Sequence, residues 1–363
     1  MVAEGRAGRH LRQRRDPVMP SITRRSAIVG GLALPFVSTI GRAAAPTRVR
    51  FTLDWKYQGV HAWFFVARDK GYFRDEGLEV DIDQGEGSAA TIARIMTGNY
   101  DAGFGDINAL ITAAAQKPDQ SPRMIYEMYN RGPSVVVARA DGPIKSLKDI
   151  EGRTVGAPAG SASARLLPLL ARVNGIDIGK VSFQNVAANL QEQMLIGGKI
   201  DAILGFNYSI YINLLQANFQ PDKQTRWFGY SDYGLDLYSN GVMASQAFIK
   251  SHPGAVRGLV RAIHRALKAT VADTDGAIKT MMAVEPLLNA TVEKQRLEYT
   301  LRHVIGTPWT KANGFGGVDP EKLDRSIRAV VEGYGLSRAP GADEVFAADF
   351  LPPAAERAID LPG

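Results

Sequence analysis

The chain has no cysteine, so thiolate catalysis, sulfur-ligated structural zinc and disulfides are all excluded. Its five histidines are scattered at positions 10, 61, 252, 264 and 303, and none forms the H-E-x-x-H pattern of a zinc protease. The G-x-S-x-G, S-x-x-K and P-loop patterns are also missing. Beyond residue 45 no apolar run reaches the roughly eighteen residues that a membrane helix needs. An excess of basic charge is missing there too. The formal net charge of the 363 residues is +6, but residues 1 to 45 hold eight Arg against Glu4 and Asp16, so the remainder is balanced. A neutral body argues against nucleic acid as a partner.

The arginine-rich segment reads as an address. Thr23-Arg24-Arg25-Ser26 precedes an uncharged stretch from Ala27 to Gly41, and Ala43-Ala44-Ala45 follow as a cleavage site. This resembles a twin-arginine export signal, although Ala27 stands where that pattern has a large apolar residue. Cleavage near residues 43 to 45 and a periplasmic location are expected, with Met19 an alternative start. The competing reading is an uncleaved helical anchor, for which this stretch is short.

From Arg48 onward, apolar strands alternate with helical patterns at short spacing, which predicts α/β architecture with parallel sheets covered on both faces. Strands are expected at 48–54, 78–83, 101–104 and 123–129, and again at 153–157, 181–186 and 201–206. Helices are expected at 161–173, 189–197 and 208–217. Two further β-like segments, 134–140 and 237–244, bracket the second series. That bracketing predicts two doubly wound lobes joined by a two-segment hinge: 46–135 with 240–363 as lobe one, and 136–239 as lobe two. After Ser251, Val256, Leu259, Val260, Ile263 and Leu267 recur on one helical face. Arg257, Arg261, Arg265 and Lys268 fall elsewhere on the wheel, as a solvated face does.

In open α/β sheets, ligands bind beyond the carboxyl ends of the strands. The loops there offer Asp54, Trp55, Tyr57, His61, Glu86, Ser88, Asp106, Glu127, Gly160, Ser161, Ser163, Asn207 and Tyr208. Together these supply carboxylates, aromatic faces, amides and a helix start, a set suited to a small polar molecule and requiring no metal or other cofactor. Each has a structural alternative: Trp55 and Tyr57 as a roof on the core, and Ser161 and Asp106 as helix caps. Gly85-Glu86-Gly87-Ser88-Ala89-Ala90 also matches the G-x-G-x-x-A dinucleotide fingerprint, but it lies on the second strand and lacks the acid ending the next one.

The run from Ala67-Arg68-Asp69-Lys70-Gly71-Tyr72-Phe73 through Glu76-Gly77-Leu78-Glu79-Val80 resembles the A-x-x-K-G-Y-F-x-x-E-G-L-x-V signature of ABC-transporter periplasmic binding proteins in the nitrate, sulfonate and thiamine-precursor group. Gly98-Asn99-Tyr100-Asp101-Ala102-Gly103, the segment Ser146 to Gly156, and Gly198-Lys199-Ile200-Asp201-Ala202 match in the same order. The resemblance implies a type II-like periplasmic binding fold, a non-enzymatic receptor role, an inner-membrane permease as partner, and a monomer. Leu53-Asp54-Trp55 followed by His61 resembles the pyrimidine-precursor branch. The D-A-W-A-x-W of sulfonate receptors is replaced by Asp201-Ala202-Ile203-Leu204-Gly205-Phe206. A sulfonate, nitrate or aromatic acid is the alternative ligand. Eukaryotic pyrimidine synthases share the implied fold and are the enzymatic alternative; their Cys-rich run has no counterpart here. On this reading Asp54→Asn or Trp55→Ala weakens binding about tenfold or more while leaving the ligand-free protein's stability unchanged.

Overall fold

A computed structural model describes residues 45–361, so the export segment expected at 1–45 lies outside the described residues apart from Ala45. Ten strands form two five-stranded sheets. The first contains β1 (Thr47–Thr52), β2 (Leu78–Asp83), β3 (Ala102–Asp106), β4 (Arg123–Glu127) and β10 (Asn240–Ala244), in the order β2-β1-β3-β10-β4. The second contains β5 (Ser134–Arg139), β6 (Thr154–Ala157), β7 (Ser182–Asn185), β8 (Ala202–Phe206) and β9 (Thr225–Gly229), in the order β7-β6-β8-β5-β9. Within each sheet one strand runs against the other four: β10 is antiparallel to β3 and β4, and β5 to β8 and β9. These are the strands by which the chain enters the second sheet and returns from it. The crossings occupy 128–133 and 230–239.

The expected alternation is present, with strand ends trimmed. β1 stops at Thr52, which releases Leu53, Asp54 and Trp55 into the loop beyond the strand. β9 has no counterpart among the expected elements, because Thr-Arg-Trp-Phe-Gly shows neither alternation nor a continuous buried run. Gly77 turns the chain into β2 at φ +69, a backbone state that side chains disfavour. Phe73 is buried beneath that turn.

The Pro253–Ala272 helix buries Val256, Leu259, Val260, Ile263 and Leu267, as its period requires. Its basic face is exposed but not free: Arg261 Nε meets Glu76 at 3.0 Å, and Arg265 meets Asp75 at 2.8 Å. The Pro320–Tyr334 helix packs on both the Ile107–Gln116 helix of the first sheet and the Ala162–Val173 helix of the second. One apolar cluster therefore runs through both sheets, joining Leu110 and Met124 to Val136, Leu166 and Leu323. Among the described residues no helix is long and apolar enough to cross a membrane.

Candidate functional site

The loops beyond β1, β2, β6 and β8 converge on a pocket of about 560 Å³, mouth included. Asp54, Trp55, Gln58, Gly87 and Ser88 line it from the first sheet's side. Ser161, Ser163, Gln191, Phe206, Tyr208, Ser209 and Asn213 are among those lining it from the second. Asp54 is the only charged lining residue; no Lys, Arg or His is among them.

Asp54 is nearly buried, and both carboxylate oxygens are engaged. Its Oδ2 accepts Asn240 Nδ2 at 2.7 Å, and its Oδ1 lies 3.0 Å from His61 Nε2. The Gln58 backbone N–H donates to His61 Nδ1 at 3.2 Å, which leaves the ring proton on Nε2 to be donated to Asp54. His61 thus stands behind Asp54 and orients it. Each oxygen retains a lone pair for a ligand donor. Trp55 is half-buried at the pocket wall. Tyr208 is buried, and both desolvation and the Asp54 charge raise its phenol above the ordinary range, so it stays protonated.

Two backbones meet at the pocket's edge. Gly87 adopts φ +113, and a Cβ there would lie 2.4 Å from the Gly160 carbonyl oxygen. The G-x-G-x-x-A run therefore serves a close approach between the two loops. On the second sheet's side, Ser163 Oγ contacts Ser134 Oγ and the Gly205 carbonyl, while Ser161 caps its helix by accepting the Ala164 N–H.

Six of the thirteen sequence-predicted residues reach the pocket: Asp54, Trp55, Ser88, Ser161, Ser163 and Tyr208. Seven do not. Tyr57 donates to the Ile82 carbonyl and packs edge-on against Phe65 in the core. Glu86 is exposed, 3.9 Å from Lys56 and 3.5 Å from Arg94. Gly160 supplies backbone to the contact with Gly87, and His61 sits one layer back. Asn207 turns its side chain onto the Tyr208 N–H and lines a different groove, with Tyr211 and Trp227. Asp106 caps its helix by accepting from Asn108 N and Ala109 N, and it also receives Ser239 Oγ. Glu127 points into the interior, where neither carboxylate oxygen has a well-formed hydrogen bond and the Tyr129 and Ser239 backbone N–H groups oppose its burial only weakly.

Burial pushes Asp106 up to about 6 against the hydrogen bonds it accepts. Burial, and then the nearby Asp106 charge, raises Glu127 well above the carboxylate range, with Lys322 opposing. A carboxyl whose pKa is higher in the folded state adds stability below its unfolded value and loses it as pH rises through the folded one. For Asp106 that window runs from 3.8 to about 6; for Glu127 it begins at 4.5 and extends higher. Glu127→Gln is therefore expected to melt higher than the parent, by about 2 °C or more near neutral pH. The gap should shrink as pH is lowered toward 4.5. Melting curves across that range check it, and a gap that does not depend on pH would show that Glu127 is ordinarily solvated.

Gln58, Gln191, Ser209 and Asn213 also line the pocket and are not among those thirteen, although Gln58 and Ser209 belong to loops expected beyond the strand ends. Ser209 and Asn213 had a local signal, since they lie four apart on the Asn207–Gln216 helix and so share a face. Arg296 and Glu293, which hold the pocket wall from behind, had none. Arg296 Nε donates to Glu293 Oε2 at 3.0 Å. Its remaining nitrogens reach across to the Ser209 carbonyl at 3.2 Å, the Tyr208 carbonyl at 3.5 Å and Asn213 Oδ1 at 3.1 Å. Glu293 Oε2 also accepts the Gly59 N–H at 2.6 Å. Gln58 Oε1 accepts Ser209 Oγ at 3.1 Å, a further bond between the two sides.

Two mixed α/β sheets, a chain that crosses between them twice and a pocket between their strand ends define the periplasmic binding protein fold. Solved structures agree. A protein of Bordetella bronchiseptica RB50 superposes with a TM-score of 0.67 at 19% identity, covering 84% of this chain and 96% of that one. The alkanesulfonate-binding protein SsuA of Xanthomonas axonopodis pv. citri, bound to MOPS, gives 0.64 at 14% identity, over 84% of this chain and all of that one. The "NMT1/THI5 like" family model matches residues 58–277, and the chain belongs to that family. It is 24% identical to a riboflavin-binding protein, RibY, of Chloroflexus aurantiacus, over 85% of this chain and 88% of the relative. It is also 24% identical to a formylaminopyrimidine-binding protein of Halalkalibacterium halodurans, over 77% and 83%. A 4-amino-5-hydroxymethyl-2-methylpyrimidine phosphate synthase of Aspergillus parasiticus is 22% identical over 74% and 82%, so the proteins this chain is similar to include one named as an enzyme as well as binding proteins.

Proposed function

We propose that this chain is the solute receptor of an ABC importer. Lobe one (46–135 with 240–363) and lobe two (136–239) close on a small, donor-bearing nitrogen heterocycle related to the thiamine pyrimidine and hand it to an inner-membrane permease. The observation that carries this reading is the charge of the pocket, where one buried carboxylate stands with no cation in the lining. A carboxylate accepts two N–H bonds from an aminopyrimidine edge, and Trp55 and Phe206 offer ring faces for stacking. An anionic sulfonate would have to sit beside Asp54 uncompensated. Pyrimidine and flavin recognition by the two receptor relatives points the same way. The enzymatic reading is weaker, because both ring nitrogens of His61 are engaged by Gln58 and Asp54, and no Cys is present.

One observation favours a second reading. The start of the Ala162–Val173 helix faces the pocket at Ser161, Ala162 and Ser163, and a helix N-terminus favours an anionic group. Thermal-shift titration with 4-amino-5-hydroxymethyl-2-methylpyrimidine, riboflavin, taurine and nitrate separates the two. A ligand at about 100 times its dissociation constant stabilises by about 2.7 kcal/mol. The pyrimidine or the flavin is expected to produce that shift. A shift with taurine or nitrate alone would establish the anion reading, and turnover of a bound pyrimidine would make the chain an enzyme.

A further inference from the structure

We infer that Gln191 Oε1 is a specificity-determining hydrogen-bond acceptor on the second lobe, so that the ligand must carry a second N–H or O–H donor besides the one read by Asp54. The inference rests on the heterocycle reading above. Several described buried side-chain polar atoms have no partner, but Gln191 Oε1 is the only one belonging to a residue that lines the pocket. A buried acceptor left unpaired costs free energy, and a ligand donor removes that cost.

An amide has no polarity of its own, since oxygen and nitrogen exchange by a flip. Here a directional chain sets it. Arg296 can only donate, and it donates to Asn213 Oδ1 at 3.1 Å. Asn213 must then present Nδ2 on its other side, which donates to Glu192 Oε1 at 2.9 Å. Gln191 Nε2 donates to the same Glu192 oxygen at 3.2 Å. A flipped Gln191 would set its oxygen against an oxygen that already accepts. The nitrogen is therefore committed to Glu192, and the oxygen is the end left for a ligand. The buried arginine, sitting on the first lobe, thus decides through three side chains which kind of group the second lobe offers.

Asp54 and Gln191 are acceptors on opposite sides of the same pocket. A molecule satisfying both bears donors on two edges, and one with a single donor leaves one acceptor stranded. Sites built to bond a polar group reject analogues that lack it far more strongly than apolar sites do.

The test compares 4-amino-5-hydroxymethyl-2-methylpyrimidine with two analogues, 4-amino-2,5-dimethylpyrimidine and 5-hydroxymethyl-2-methylpyrimidine, each lacking one donor, by isothermal titration. The unmodified protein is expected to bind each analogue about tenfold or more weakly than the parent. In Gln191→Met the penalty for one analogue should fall to about onefold while the penalty for the other, read by Asp54, persists. Gln191→Asn, which keeps both the amide donor for Glu192 and an acceptor, should keep both penalties in direction; it serves as the folded comparison if the methionine variant melts early. Both penalties unchanged in Gln191→Met would overturn the role of Gln191 while leaving the heterocycle reading intact. No binding of the parent pyrimidine or of riboflavin to the unmodified protein would remove both.

Discussion

Arg296→Ala is expected to lower folding stability by about 3 to 5 kcal/mol, the cost of breaking a buried ion pair by removing one partner. Arg296 is 2% exposed and Glu293 4%, so neither charge is relieved by water once the other is gone. The substitution strands the Glu293 carboxylate, which keeps only the Gly59 N–H, and leaves Asn213 Oδ1 without its arginine donor. Replacing both residues, as Arg296→Met with Glu293→Gln, should recover much of the loss, because no unpaired charge then remains inside. Lysine will not substitute, since a single ammonium cannot bond Glu293 at two points and still span to the Asn207–Gln216 helix. Denaturant titration of the three variants measures this; a loss below about 1 kcal/mol for Arg296→Ala would place the pair among solvated surface bridges.

Trp55→Ala is expected to weaken binding of the pyrimidine or flavin by about tenfold or more, about 1.4 kcal/mol, with little change in the ligand-free melting temperature. Trp55 is half-buried at the pocket wall, so its removal opens the site without hollowing the core. Asp54→Asn behaves differently, and here the structure corrects the expectation drawn from sequence. Both Asp54 oxygens accept from buried donors, His61 Nε2 and Asn240 Nδ2. An asparagine can accept from only one of them and must turn its own N–H2 toward the other. Ligand-free stability should therefore also fall, by about 1 to 3 kcal/mol, the cost of a buried donor left unpaired. Titration calorimetry paired with melting of the ligand-free protein distinguishes the two. Should Trp55→Ala melt several degrees lower and still bind normally, Trp55 is a core residue and the pocket lies elsewhere.

Much of the fold was legible because it is written in local periodicity. The run of Val256, Leu259, Val260, Ile263 and Leu267 names the buried face of its helix whatever that face packs on. Two β-like segments flanking a second strand series announce two sheets, and these are the segments that became the antiparallel strands β5 and β10. Asp54 and Trp55 were legible for a similar reason: they are among the first residues released at the carboxyl end of β1, where any open α/β sheet presents its ligand loops. The aspartate directly before the Ile107–Gln116 helix was equally legible as a cap, a role that needs only its own backbone neighbours.

What lay beyond reach of the sequence is whatever depends on the meeting of distant segments. Within one loop, Gln58 turns to the pocket and Tyr57 to the core, a choice made by Ser209 and the Ile82 carbonyl, which lie elsewhere in the chain. Glu127 looks like a loop carboxylate until the return of β10 and the backbone at Gly316 close over it and shut out water. Arg296 sits on a helix with little amphipathic signal, and the groups it bonds on the Asn207–Gln216 helix are more than eighty residues away. Sequence alone determined which residues stand at strand ends, helix starts and apolar faces, because those positions follow from local hydrogen bonding and the period of each element. Tertiary structure alone decided which polar groups share the pocket, which way Gln191 points and which carboxylates lose their water, because desolvation and hydrogen-bond polarity are set by the groups brought opposite.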